Sequence, residues 1–283
     1  MIRLLVDSAS DIPHTNSDNI LVVPLSVHIA GRDYIDGITL GHDQFYEMLV
    51  SSDDFPKTSQ PSPQSFVEAF EKIKEANDEL ICILLSSGVS GTYQSACLAK
   101  TIVDYDKIHI IDSLTGAYGV KLLILEAQRL IKEGKTAKEI VDTLELLKHR
   151  VTILLSVDTL DYLYKGGRLD KTSAILGSIA KIKPIITVTR EGKIGVVSKA
   201  IGMNRAMNMI AELVEQIHPD KNYPVYSIYT LGTKNVEKLE TKLHEHGFMV
   251  EEREPLGPVV GSHIGPEAFG ILFIAKELDK IPL

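Results

Sequence analysis

The sequence predicts an α/β fold in two domains, and three observations predict it. Through the first half, short apolar runs alternate with amphipathic helical patterns, as strand–helix–strand units around a parallel sheet require. Three of those runs stop in Asp/Ser-rich turns. Beyond residue 150 two extended runs flank Arg190-Glu191-Gly192, a hairpin turn that calls for antiparallel pairing. We expect an N-terminal three-layer α/β/α domain over 1–150 with a mainly parallel sheet, and a C-terminal α/β domain over 151–283 with a mixed sheet.

The elements follow in order. Ile2 to Val6 reads as a buried strand ending at Asp7-Ser8, and Leu21 to Ile29 as a second, interrupted by Pro24. Gln44 to Val50 has helical spacing. Ser62 and Pro63 mark the start of a helix running from Gln64 to Glu75, an N-cap followed by proline at the first helical position. A strand from Glu79 to Leu85 leads into a helix from Tyr93 to Val103, and a strand from Ile108 to Ile111 ends at Asp112-Ser113. Helices Ala117 to Glu133 and Lys138 to His149 come next, the second opened by a Thr136/Glu139 capping box. The second half reads as strand Val151 to Leu155, helix Thr159 to Lys165, helix Thr172 to Ala180, and strands Pro184 to Thr189 and Lys193 to Lys199. Helix Arg205 to Ile217, strand Val225 to Thr230, helix Asn235 to His246, and strands Phe248 to Arg253 and Phe269 to Ala275 complete it.

Bulk properties exclude several classes. The 283 residues are 44% hydrophobic and 24% charged, a globular balance. Thirty basic against thirty-eight acidic residues give a net charge of −8, unsuited to nucleic acid or to anionic membrane as a main partner. Cys82 and Cys97 fit no metal spacing and read as apolar fillers in a reduced compartment. The N-terminus turns polar at Asp7, too early for a signal peptide, and no apolar stretch has bilayer length. A cytoplasmic protein without stable membrane anchoring is expected.

The chemistry is concentrated in loops. In Ser86-Ser87-Gly88-Val89-Ser90-Gly91-Thr92-Tyr93 a strand gives way to a helix through small hydroxyl and glycine residues. Such a turn offers hydroxyls and backbone N–H groups at the positive end of a helix dipole, which suits an anion. It has no lysine and lacks P-loop spacing, so a carboxylate or phosphate fits better than a nucleoside triphosphate. Ligands of open α/β sheets lie beyond the strands' carboxyl ends, so the Asp/Ser loops should converge on one site.

Four stretches stand out in order: Thr58-Ser59-Gln60-Pro61-Ser62, Ser86 to Tyr93, Tyr164-Lys165-Gly166-Gly167-Arg168, and Gly261-Ser262-His263-Ile264-Gly265-Pro266. Together with Val6-Asp7-Ser8 and Asp112-Ser113 they resemble the DegV family of bacterial fatty acid-binding proteins, over the whole chain. The resemblance implies a binding protein and not an enzyme: one long-chain fatty acid held between the two domains, no cofactor, and the carboxylate presented to a separate fatty acid kinase. That kinase makes the acyl phosphate for phospholipid synthesis. It also implies that Thr58 and Ser90, with Ser59 and Gly91 beside them, bind the carboxyl group, and that Arg168 and His263 are basic residues next to it. The apolar residues Ala174, Ile175, Leu176 and Ile179 are candidates to line the acyl tunnel, and core packing explains them equally well. Two positions depart from the family pattern: Glu267 follows Pro266 where glycine is common, and Tyr118-Gly119-Val120-Lys121 is a less glycine-rich helix start.

Each piece also has a plainer reading. Thr58 could organise the turn before Ser62, Arg168 could complement a helix C-terminus at Gly166-Gly167, and Lys165 reads as a solvated side chain. A monomer is the default state. An alternative function is a serine hydrolase or esterase with Ser90 as nucleophile, His263 as base and Asp7 or Asp112 as orienter, although Gly88-Val89-Ser90-Gly91 falls one position short of a nucleophile elbow. A phosphotransferase handling its own nucleotide lacks its motifs in this sequence.

Overall fold

The computed structural model describes residues 1–13, 20–52, 55–169 and 182–280. Strand β1 (Ile2–Asp7) pairs in parallel with β2 (Ile20–Val23). β3 (Ser26–Ile29) and β4 (Arg32–Ile35) are antiparallel neighbours, and after helix α1 (His42–Ser51) the short β5 (Lys57–Ser59) joins β3 from the other side. Pro24 therefore does more than interrupt one run: it divides strands that belong to different sheets. Helix α2 (Pro63–Glu75) starts where the cap signals place it, with Ser62 Oγ accepting from Ser65 N at 3.2 Å. β6 (Glu79–Leu84), α3 (Thr92–Val103), β7 (Ile108–Asp112), α4 (Tyr118–Lys132) and α5 (Ala137–Leu147) follow, and the Thr136/Glu139 capping box is formed.

The parallel sheet runs β2-β1-β6-β7. Strand alternation sends Leu5, Leu80, Cys82 and Leu84 to one face, against Phe66, Phe70 and Ala99 of α2 and α3. Leu4, Val6, Ile81 and Ile83 face the other way, against Val120, Leu123 and Ala127 of α4 and Ile140 of α5. Both faces are covered, so the strands read as continuous apolar runs and give three layers.

The second half begins with β8 (Val151–Ser156) and α6 (Asp161–Lys165). The expected helix over 172–180 lies outside the described residues. β9 (Ile182–Val188) and β10 (Ile194–Ile201) form the predicted hairpin, then come α7 (Met203–Ile217), β11 (Tyr226–Tyr229), α8 (Lys234–Glu245), β12 (Glu252–Pro255), α9 (Pro258–Ile264) and β13 (Phe269–Ile274). The mixed sheet has the order β10-β9-β8-β13-β11-β12, antiparallel except for β11–β12. One face packs Leu154, Ile185 and Phe273 on Ala206, Ile210 and Leu239 of α7 and α8. The other face, with Ile153, Leu155, Ile186 and Ile228, joins the cluster around α4. One apolar cluster thus runs through both halves. No helix among the described residues is long and apolar enough to cross a membrane.

Candidate functional site

The Asp/Ser ends of β1, β6 and β7 do converge, and their carboxylates shape the loops. Asp7 Oδ2 accepts from Leu85 N at 2.7 Å and Oδ1 from Ala9 N at 3.0 Å. Asp112 Oδ1 accepts from Ser87 N at 3.0 Å, and Ser86 N donates to Thr115 O at 2.8 Å. Burial raises the Asp7 carboxyl to about 7.

The loop before α3 uses its own amides. Gly88 N donates to Ser86 Oγ, Val89 N and Ser90 N to Ser86 O, and Thr92 N to Ser90 Oγ. Six amides of the loop are thus spent, four within it and those of Ser86 and Ser87 on Thr115 and Asp112, so the row of backbone donors expected from the sequence is narrowed to the helix start, at Gly91, Tyr93 and Gln94. Side chains add to it.

Between the domains lies a cavity of about 110 Å³. Its walls are apolar and come from both halves: Leu85 and Ala117 from the first, Leu155, Ile186, Ile194 and Ile228 from the second. Polar side chains of Thr58, Ser90, Arg168 and His263 join the lining. Thr58 sits on β5, opposite buried Val27 of β3, and its Oγ1 lies 2.8 Å from His263 Nε2. Ser90 Oγ lies 2.8 Å from Thr92 Oγ1. Arg168, just past the end of α6, donates from Nε to Val89 O at 3.0 Å and from Nη1 to Gly166 O at 2.5 Å. Burial lowers its pKa from the usual guanidinium value, yet the group stays charged at neutral pH. No carboxylate among the described residues lies within ion-pair reach of it. Burial and the Arg168 charge push His263 down to about 4, so its imidazole is neutral.

The structure thus gathers four of the six residues picked from sequence. Ser59 alternates away from Thr58 along β5, pairs with Ser26 and is exposed. Gly91 does not line the cavity; it lets Gln60 pass, since a Cβ there would fall 2.0 Å from Gln60 Oε1. His263 is on a helix, not in a loop, and it is no cation. Lys165 is not simply solvated, because its Nζ lies 3.6 Å over the Phe55 ring. Glu267 is exposed and outside the lining. Ala174, Ile175, Leu176 and Ile179 lie outside the described residues.

Sequence reading missed a contact between the two halves beside the cavity, at Ser86 of its lining. The β9–β10 turn reaches the first domain: Ser86 Oγ donates to Gly192 O at 2.7 Å. Gly88 faces that carbonyl so closely that a Cβ would lie 2.5 Å from it, and a Cβ on Gly192 (φ +73°) would lie 2.0 Å from Ser86 Oγ. The two glycines in separate turns were the available signal.

The triad needed by a hydrolase does not form. Ser90 bonds Thr92, His263 bonds Thr58, and Asp7 and Asp112 hold backbone amides. Among the described residues, no cluster of three or more His, Cys, Asp or Glu side chains could hold a metal ion.

Known proteins resemble the chain over nearly its whole length. The family model described as "Uncharacterised protein, DegV family" matches residues 1–276. A DegV domain-containing protein of Caldanaerobacter subterraneus subsp. tengcongensis is 36% identical over 279 residues, 97% of this chain and 99% of the relative. Among solved structures, DegV of Bacillus subtilis, a fatty acid-binding protein, is 31% identical with a TM-score of 0.83 and covers 97% of this chain and 99% of its own. A stearic acid-binding protein of Eubacterium ventriosum is 27% identical with a TM-score of 0.87, over 98% of this chain and 99% of that one. With the family model matching residues 1–276 and a relative 36% identical over nearly the whole length, the chain belongs to the DegV family.

Proposed function

We propose that the chain binds one long-chain fatty acid between its units 1–150 and 151–283. It presents the carboxylate to a separate fatty acid kinase, and the acyl phosphate made there feeds phospholipid synthesis in the cytoplasm. The observation that carries this reading is an apolar cavity between two domains whose lining includes Thr58, Ser90, Arg168 and His263. A fatty acid makes two demands, a tail out of water and a carboxylate that is not left unpaired. Apolar walls answer the first; the hydroxyls of Thr58 and Ser90 and the Arg168 guanidinium answer the second. The fatty acids bound by relatives support the same ligand class. The protein is then a carrier and leaves the phosphoryl transfer to its partner.

Arg168 suits presentation because a guanidinium pairs with a carboxylate before transfer and with a phosphate after it. In a reconstituted assay with purified fatty acid kinase, ATP and palmitate, Arg168→Ala should keep the lipid but slow acyl-phosphate formation. Unchanged phosphorylation kinetics would refute that role.

A further inference from the structure

We infer that Gly166 is a positioning residue: it seats His263 as a neutral hydrogen-bond donor to Thr58, and so leaves Arg168 to carry the charge at the carboxylate site. The inference rests on the carboxylate-binding reading above. A Cβ on Gly166 would fall 2.3 Å from His263 Nδ1 and 3.0 Å from Cε1, with the Tyr162 carbonyl oxygen at 2.9 Å. The backbone does not call for glycine here, since φ is −73° and ψ is −10°, values any residue adopts. What glycine supplies is room for the imidazole. The approach of the two helices is reciprocal: a Cβ on Gly265, at the end of α9, would fall 2.6 Å from the Tyr162 ring of α6.

This seating decides the tautomer. Nδ1 is buried without a hydrogen-bond partner and faces the Gly166 backbone. A proton on it would be an orphaned buried donor, which is rarer than an unpaired acceptor. The proton therefore belongs on Nε2, which donates to Thr58 Oγ1 across 2.8 Å. Thr58 then has its own hydroxyl hydrogen free for a ligand oxygen. An imidazolium would need the Nδ1 proton as well, and is opposed by burial and by the nearby Arg168 charge. Arg168 is the charged group that acts on the ring; Lys165 of α6 is turned over Phe55, and Tyr46 of α1 meets α9 at Gly261. The charge at the site then matches a singly charged carboxylate, and His263 contributes direction instead of charge.

The test uses the full chain with ¹⁵N-labelled histidine, in nuclear magnetic resonance titrations from pH 5 to 8, alongside palmitate affinity. His263 should show the Nε2–H signature throughout. His263→Ala should lose about tenfold or more in affinity, and His263→Gln, whose amide N–H stands in for Nε2–H, should recover most of that loss. Gly166→Ala should shift the His263 resonances and weaken palmitate as His263→Ala does. An Nδ1–H or imidazolium signature in the wild-type protein at pH 6 would overturn the inference, as would a His263→Gln protein no better than His263→Ala. A wild-type protein that takes up no palmitate would overturn the functional reading, while the same spectra still decide the tautomer.

Discussion

Replacing Thr58 by valine removes one hydroxyl and nearly keeps the shape of the side chain. Without ligand, the 2.8 Å contact with His263 disappears, at a cost of about 1 kcal/mol for an ordinary hydrogen bond. With ligand, one bond to a carboxylate is lost, worth about 1.5–3 kcal/mol, or roughly 10- to 150-fold in affinity. The tail sets the scale for comparison. Roughly 15 methylenes at about 0.8 kcal/mol each give a gross term of about 12 kcal/mol, from which ordering and association subtract. The variant should therefore still bind lipid, more weakly, and lose more acyl-phosphate formation than lipid retention, because the reacting oxygen is no longer held. Displacement of a fluorescent fatty acid, thermal unfolding and coupled kinase turnover measure the three quantities. Unchanged affinity would show that the head group lies elsewhere. Abolished binding in a folded variant would show that the tail does not dominate.

Other positions give sharper structural tests. Gly192→Ala puts a methyl against Ser86 Oγ at a left-handed φ of +73°; it should cost about 1–2 kcal/mol from the backbone alone, lower the melting temperature and speed lipid exchange in stopped-flow dilution. Ala117→Gly should do the reverse to stability. Ala117 has φ 48° and ψ −141° in a tight turn closed by Gly119 N on Gly116 O at 3.0 Å, where glycine is the preferred residue, so urea denaturation should show a gain of about 1 kcal/mol. Asp11 accepts from Gly257 N at 3.1 Å across the domains while its Oδ2 is buried without a partner, and burial and Asp36 raise its pKa. A carboxyl raised in this way contributes stability that is full below its unfolded value near 3.8 and is lost as pH rises through the folded one. Asp11→Asn should therefore exceed the wild-type melting temperature at pH 8, with the gap narrowing toward pH 4. His263, a base held down to about 4, acts in the opposite sense: its contribution is lost as pH falls from about 6.5, so the wild-type protein should show a broad optimum and not a simple acid limb.

What the sequence displayed was local. Ser62 and Pro63, the Thr136/Glu139 box and the apolar runs of β1 and β6 act within a few residues, so spacing alone reveals them. The small sheet has no such signal. β4 is largely exposed along Arg32–Ile35, and β5 is three residues of a hydroxyl-rich stretch that reads equally well as a turn. Helix α9 has seven residues and an internal glycine, Gly261, imposed from outside by the Tyr46 and Phe45 rings. The strand expected over Phe248 to Arg253 is shorter and displaced, at Glu252–Pro255, where among the described residues β12 pairs with β11 at the sheet edge. At the site, residue types were legible but their partners were not. That His263 meets Thr58 and Gly166, and that Ser86 meets Gly192, are contacts between residues about 100 or 200 positions apart.

The most direct test of the account is mass spectrometry of an organic extract from the denatured protein, purified from bacteria without added lipid. The account predicts one long-chain fatty acid per chain, in the extract itself or after incubation with oleate or palmitate. An empty extract, with no uptake of either acid by the folded protein, would contradict it.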